Sequence, residues 1–302
     1  AQQKTEGKEK KKKRSLYRTR ELHIMLIPAV LFTTFFAYLP IFGLVMAFQD
    51  FKPLMGFRES PFVGLQQFRY IFTMPSFRTA FVNTMIISFF KIILSILVPM
   101  ILSLMLNEVT KSWFKRSVQT IVFIPYFFSW AILAGMILEI FAYDGIINNT
   151  MLHLFSTDPT AFLVSNKYFR TIIIGSDVWK GMGYNTVLLL AAITNVDPTL
   201  YEAAQVDGAT KLQVFWKIKW PQIMPTTLYV LVITTINSFQ CFALIQLLTK
   251  GGPLNSTMTI MYQVYDTAYR LNDLGYACAI GVVLALIIAI FSAIQFKVAK
   301  TD

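Results

Sequence analysis

Apolar residues along the 302-residue chain are gathered in six long stretches rather than repeated at the spacing of a half-buried helix or strand. A helix needs about 20 mostly apolar residues to cross the hydrocarbon core of a bilayer, and each stretch reaches that length. Charged residues interrupt only two stretches, at Lys91 and at Asp177 and Lys180. The pattern predicts an all-α membrane protein with six transmembrane helices, at about 24–49, 80–107, 117–138, 171–196, 222–249 and 274–296.

Composition supports this prediction. Hydrophobic residues make up 55% of the chain and charged residues only 14%, whereas about a quarter of a typical soluble domain is charged. The first apolar stretch is long for a secretory signal and lacks a convincing small-residue cleavage site, so we expect a retained span. The two cysteines, Cys241 and Cys278, fall inside predicted spans without metal-ligand spacing. We expect them to pack as small residues, with no disulfide.

The placement of the net charge of +11 predicts the orientation of the chain. With the basic N-terminus inside, the inner segments hold seventeen Lys or Arg residues and the outer segments hold eight. This bias matches the positive-inside rule and predicts a multi-pass protein with both termini in the cytoplasm. We interpret residues 1–21 as a basic arm that faces anionic lipid rather than nucleic acid, and residues 22–302 as the transmembrane domain.

A polar segment at 197–221 separates the fourth and fifth predicted spans and lies on the cytoplasmic side of this topology. It predicts two short helices on the membrane surface: Asp197 can cap the first, and Gly208 can end it. Thr210 and Gln213 have the spacing of a capping box for the second helix, which we expect to end before a proline at position 221. By themselves these residues fit equally a loop that packs on its own bundle.

Two neighbouring predicted spans carry polar or small residues at positions i, i+3, i+4 and i+7, which share one helix face. These residues are Asp177, Lys180, Gly181 and Tyr184 in the fourth span and Thr234, Asn237, Ser238 and Cys241 in the fifth. Charged groups within a membrane normally face the bundle interior or a water-filled cavity. The stripes therefore either line a path for a substrate or hold the helices together, with Asp177 and Lys180 paired to each other.

The segment EAAQVDGATKLQVFWKIKWPQIMP resembles the EAA motif of membrane subunits of bacterial ATP-binding-cassette importers, in particular the maltose-permease-like branch that takes up carbohydrates. Trp220 replaces the usual leucine before the first proline and keeps its apolar character. FVGLQQF and FALIQLLTKGGP resemble further segments of that branch, so the similarity extends over about 24–297. The motif positions that match are Glu202, Ala203, Ala204, Asp207, Gly208, Ala209, Phe215, Ile218, Pro221 and Pro225.

The resemblance implies an importer permease fold in which residues 197–221 contain a cytoplasmic coupling helix that docks on an ATPase subunit. The implied ATPase contacts are Glu202, Ala203, Ala204, Asp207, Gly208 and Ala209. The two polar stripes fall at positions that face the sugar in maltose-type permeases. The chain would form half of a sugar translocation path in a bacterial cell membrane, beside a different second permease, two ATPase subunits and an extracellular solute-binding protein.

The resemblance also implies that the chain is not an enzyme and holds no cofactor or metal, since ATP and magnesium would bind the partner ATPases. Two other classes of function stay open. A membrane-embedded enzyme requires a nucleophile–base or metal constellation within the spans, and the sequence shows none. A proton-driven secondary transporter would use Asp177 or Glu139 as a relay. Lys91 either snorkels to the surface or faces a partner, and Lys180 leaves open an acidic sugar as the substrate.

Overall fold

The computed structural model describes Arg20 and residues 22–300, so the predicted basic arm at 1–21 lies outside the described residues apart from Arg20. Helices dominate the described part of the chain. Their order is α1 (Leu22–Phe48), α2 (Gly56–Glu59), α3 (Gln66–Thr73), α4 (Pro75–Glu108), α5 (Ser112–Phe127), α6 (Trp130–Ile140), α7 (Ile146–Phe155), α8 (Asn166–Thr194), α9 (Pro198–Val206), α10 (Lys211–Val214), α11 (Trp220–Phe239), α12 (Ala243–Leu248), α13 (Ile260–Tyr265) and α14 (Leu274–Lys300).

Four stretches in the described residues are long and apolar enough to cross a membrane: α1, α4, Lys211–Leu248 and α14. A fifth exists if α5 and α6 together form one broken span. The predicted fourth span lies in α8, a single helix of 29 residues. Polar residues, Asp177 and Lys180 among them, make α8 less apolar than the others. The helices thus follow the predicted stretches, whereas the count of six spans is not confirmed.

The predicted third span, 117–138, is not one continuous helix in the structure, because it includes most of α5 and α6, which meet at an angle of 102°. Pro125 lies in the last turn of α5 and has no N–H to donate. Phe128 is extended, and the Ser129 hydroxyl then caps α6 by accepting from the backbone N–H of Ile132 (3.3 Å). A helix stop and a new helix start therefore follow each other within a few residues.

The core is built around α8, which packs against α4, α5 and α11. Gly183 permits the close crossing of α5 and α8, since a Cβ at this position would overlap the carbonyl of Val122 and lie 2.6 Å from Phe123 Cα. On another side of the bundle, α14 packs against α11, α13 and the second half of α1. These contacts bring the middle of α4, the middle of α8 and the end of α11 into one region.

The first surface helix, α9, has the predicted end signals. The backbone N–H of Thr199 donates to Asp197 Oδ1 (2.9 Å) at the start of the helix, and this bond lowers the pKa of the Asp197 carboxyl. Gly208 has a φ of +71° just past the end of α9. The N–H of Ala209 then reaches back to the carbonyl of Ala204 (2.9 Å), the bond expected of a Schellman motif.

The second surface helix, α10, starts with the predicted capping box. Gln213 N–H donates to the Thr210 hydroxyl (3.4 Å), and Thr210 N–H donates to Gln213 Oε1 (2.8 Å). The α-helical part ends at Val214, but the break in the helix that was expected before Pro221 is absent. The chain continues through a π-helical turn, Phe215–Lys219, directly into α11. Pro221 lies in the first turn of α11, where a proline is tolerated.

Candidate functional site

A cavity of about 300 Å³ opens where α4, α8, the α5–α6 break and the junction of α11 with α12 meet. Five of the eight residues in the two predicted stripes line this cavity. They are Asp177, Lys180, Gly181, Asn237 and Cys241. Seven further lining residues were not predicted from the sequence. They are Lys91, Tyr126, Trp130, Gln240, Phe242, Ala243 and Leu244.

Lys91 and Asp177 form an ion pair across the cavity wall, with 3.0 Å between Nζ and Oδ2. The Lys91 residue is only 1% exposed. The sequence led us to expect that Lys91 either snorkels to the surface or faces a partner. Its burial contradicts both expectations. The expectation that Asp177 pairs with Lys180 is also wrong. Packing of α4 against α8 places a buried cation opposite the carboxylate, and a buried charge requires such a partner.

Lys180 points instead to the break between α5 and α6. Its ammonium donates to the carbonyl of Tyr126 (3.0 Å) and to the carbonyl of Phe128. The same ammonium lies 5.3 Å from the centroid of the Trp130 ring. Two of the three N–H donors of Lys180 thus satisfy carbonyl groups at the end of α5, where no helical N–H follows.

Three of the predicted stripe residues do not line the cavity. Tyr184 stacks on Tyr126 with ring centroids 4.9 Å apart and an interplanar angle of 12°, and so supports a lining residue from behind. Thr234 and Ser238 are buried within the packed face of α11. Because α11 ends at Phe239, helical spacing does not extend from these residues to the cysteine at 241.

A second concave surface of about 410 Å³ lies between α9 and α10. Four of the six predicted coupling residues line it, and Glu202 and Ala203 lie exposed beside it. The four are Ala204, Asp207, Gly208 and Ala209, and the far side is formed by Gln213, Val214, Lys217 and Ile218. Val206 and Trp216 nearby expose 88% and 56% of their surface. The groove thus combines small residues, charges of both signs and exposed apolar groups.

This surface segment is attached to the end of α4. Lys219 Nζ lies 3.1 Å from Glu108 Oε1 and 5.5 Å from the centroid of the Tyr201 ring. Burial, and secondarily the negative charge of Glu108, raise the pKa of the Tyr201 hydroxyl. One lysine thereby joins α9, the turn after α10 and the last residue of α4.

Comparison with known proteins relates the chain to transport permeases. It is 33% identical to the polygalacturonan/rhamnogalacturonan transport system permease protein YteP of Bacillus subtilis (strain 168), over 97% of this chain and 92% of YteP. It is 32% identical to the arabinooligosaccharides transport system permease protein AraP of the same organism, over 91% of this chain and 87% of AraP. Both relatives match it over nearly the whole length.

Solved structures give the same result. One chain in the crystal structure of a bacterial ABC transporter, involved in the import of the acidic polysaccharide alginate, superposes with a TM-score of 0.85. It is 30% identical, and the match covers 95% of this chain and 98% of that chain. In the bacterial alginate ABC transporter in complex with an alginate pentasaccharide-bound periplasmic protein, a chain superposes with a TM-score of 0.83 at 31% identity, over 93% of this chain and 94% of that one.

The family described as the inner membrane component of binding-protein-dependent transport systems matches residues 95–300. That range covers more than half of the chain and includes the cavity residues of α8 and the complete surface segment. Together with several apolar helices, the match makes the chain a multi-pass membrane permease rather than an enzyme. The chain belongs to the family of binding-protein-dependent transport system inner membrane components.

Proposed function

We propose that the chain forms half of the translocation path of an ATP-driven importer of oligosaccharides. The observation that carries this proposal is the near full-length likeness to a chain of the alginate importer. The names of the relatives range from alginate to arabinooligosaccharides. They support a carbohydrate substrate and leave its charge undecided.

The proposed assembly contains a second, different permease chain, two ATPase subunits and an extracellular solute-binding protein. The periplasmic protein in the alginate transporter complex supports the last of these partners. ATP and magnesium would bind the ATPase subunits. We place the assembly in the bacterial cytoplasmic membrane with both termini of this chain inside, in keeping with the excess of basic residues in the inner segments.

Coupling to the ATPases would occur through the groove between α9 and α10. Its small residues, Ala204, Gly208 and Ala209, would allow a partner surface to approach closely. The exposed carboxylates of Glu202 and Asp207 would meet basic groups on that partner. Because α10 continues into α11 without a loop, and Lys219 holds the end of α4, displacement of the segment would move two helices of the bundle.

The cavity supplies the chemistry that a sugar requires. Amide side chains of Asn237 and Gln240 can bind hydroxyl groups, and the rings of Tyr126 and Trp130 can face the apolar side of a pyranose. Of the residues predicted as sugar contacts, Tyr184, Thr234 and Ser238 would act on the substrate only indirectly. Closure of the ATPase dimer on ATP would open this cavity to the outside. Opening of the ATPase dimer after hydrolysis would return the cavity to the inward-facing state.

The test is to co-express the chain with its neighbouring genes, reconstitute the complex in proteoliposomes and measure ATP hydrolysis and uptake with the solute-binding protein across an oligosaccharide panel. We expect at least one oligosaccharide to stimulate both activities. Uptake that ignores ATP depletion but is abolished by a protonophore would instead indicate a secondary transporter. Turnover of a substrate in the absence of the ATPase subunits would indicate an enzyme.

A further inference from the structure

We propose that the cavity selects a carbohydrate that carries carboxylate groups, with the ammonium of Lys180 as the group that distinguishes an acidic sugar from a neutral one. This inference rests on the proposed function and deepens it by naming the charge of the substrate. It follows from the distribution of charge around the cavity rather than from the presence of a lysine alone.

The formal charges of the described residues that line the cavity do not cancel. They belong to Lys91, Asp177 and Lys180, which leaves a net charge of +1. The ion pair between Lys91 and Asp177, at 3.0 Å, neutralises one cation inside the wall. Lys91 is also almost completely buried and thus shielded from a ligand. The remaining positive charge is therefore located at Lys180.

The helix ends near Lys180 do not remove this charge. The carbonyl end of α5 carries a partial charge of about −0.5, and the N-terminus of α6, which begins at Trp130, carries about +0.5. Both ends meet at the same break, so their effects largely offset each other. Two N–H donors of Lys180 bind the carbonyls of Tyr126 and Phe128. Its third donor is the group that a carboxylate in the cavity would accept from.

The neighbouring side chains fit a sugar ring next to such a carboxylate. The Trp130 ring lies 5.3 Å from Lys180 Nζ, and Asn237 and Gln240 line the same cavity. A uronate unit offers an apolar ring face, hydroxyl groups and a carboxylate together. A hydrogen bond between two charged groups is stronger than the bond that a neutral hydroxyl or ester would form with the same ammonium. The site therefore favours the acid over its neutral derivative.

The experiment uses two probes with the same sugar sequence and length, an oligogalacturonate and its methyl-esterified form, which differ in charge and in one methyl group on each carboxyl. Both are tested for stimulation of ATP hydrolysis and uptake by the complete reconstituted complex. Because the solute-binding protein also selects its ligand, the informative quantity is the change in the acid-to-ester ratio that a permease substitution causes. The binding protein is kept the same in every measurement.

We expect Lys180→Gln to lower the acid-to-ester ratio about tenfold, mainly by weakening activity on the acid. Lys180→Arg keeps the positive charge and should keep the ratio within about twofold of the unmodified protein. Lys167→Gln is the matched control, since Lys167 is exposed on the same helix and does not line the cavity. An unchanged ratio in Lys180→Gln would overturn the inference.

Lys180 also binds carbonyls at the α5–α6 break, so Lys180→Gln could fail to assemble. Lys180→His then provides a test within one folded protein, because its charge changes between about pH 5.5 and about pH 8. Relative to the unmodified protein at the same pH, its acid-to-ester ratio should be higher at the lower pH, and equal ratios would contradict the inference. Stimulation of the unmodified complex by neutral oligosaccharides alone would overturn the inference but retain the proposed function. Stimulation by no carbohydrate would overturn both.

Discussion

The cavity and the surface segment at 197–221 both contain charged residues, but they hold these charges in opposite ways. In the cavity, Lys91 is buried and bonded to Asp177 on another helix. On the surface segment, Glu202 and Asp207 are exposed. A charge inside a membrane must be satisfied within the bundle, whereas a charge in water gains little from a nearby partner. Cavity charges therefore fix helix positions, and segment charges are available to another protein.

The two regions also differ in how they are held in place. Extensive packing among α4, α8 and α11 surrounds the cavity. The segment depends on local caps around Gly208 and Thr210 and on the contact of Lys219 with Glu108. A substitution in the cavity should therefore affect the stability of the bundle, and a substitution on the segment should affect coupling. Four predictions test this distinction, beginning with the largest expected effect.

Lys91→Met should destabilise the bundle by about 3 kcal/mol, because it leaves the Asp177 carboxylate without its cation in a largely buried site. Thermal unfolding of the purified complex in detergent measures this effect. The double variant with Asp177→Asn removes both charges and should recover most of the loss. Equal stability of the single and double variants would show that the ion pair does not determine the stability of this region.

Glu202→Lys should leave membrane insertion unchanged but reduce sugar-stimulated ATP hydrolysis by about tenfold or more, because it places a cation against the basic groups expected on the ATPase. Co-purification of the ATPase should weaken as well. Glu59→Lys is the control, a charge reversal at another exposed carboxylate on α2, far along the chain from the segment. Normal uptake by Glu202→Lys would remove the assignment of this surface to coupling.

Gly183→Ala should lower the unfolding temperature of the complex, with a loss of about 2 kcal/mol, since the added methyl group overlaps the backbone of α5 at Val122. Gly181 provides the matched control, because it lies on the same helix and a Cβ added there would meet no other atom within 4 Å. Gly181→Ala should be neutral or slightly stabilising through its better helix propensity. A similar loss in both variants would mean that the crossing of α5 and α8 is not what requires glycine.

Thr210→Ala should have the smallest effect, a loss of about 1 kcal/mol confined to the start of α10, because it removes the hydroxyl of the capping box. Amide hydrogen exchange at Lys211–Val214 should become about fivefold faster, with the bundle unfolding temperature unchanged. Thr210→Ser keeps the hydroxyl and should exchange as the unmodified protein does. Faster exchange throughout α8 would instead show that the segment is not independent of the cavity.

The same comparison explains which features could be read from the sequence. Asp197, Gly208, Thr210 and Gln213 act on partners within five residues, so their positions alone predicted the caps that the structure contains. The apolar stretches likewise predicted where the long helices lie. The continuation of α10 into α11 was not predicted. The sequence alone does not distinguish a proline in the first turn of a helix from a proline that ends one.

The ion pair of Lys91 could not be predicted, because its residues lie on helices whose mutual rotation depends on packing. The helical spacing of i and i+3 predicted that Asp177 pairs with Lys180. In the structure, the packing of α4 against α8 gives Asp177 a different partner, Lys91. The cavity residues Tyr126 and Trp130 were missed for a related reason. They flank the α5–α6 break, which interrupts a run that is apolar throughout. Only the run PYFFSW, with a proline and a capping serine, signalled that break.

Helix α4 connects the two regions, since it carries Lys91 beside the cavity and ends at Glu108, which contacts Lys219. Seventeen residues separate these positions, a length of about 25 Å at 1.5 Å per residue. If α4 tilts by about 5° about the position of Glu108, the position of Lys91 shifts by about 2 Å. That shift is comparable with the 3.0 Å separation of Lys91 and Asp177. A tilt of α4 that starts at the contact of Glu108 with Lys219 would therefore be felt at the Lys91–Asp177 ion pair beside the cavity.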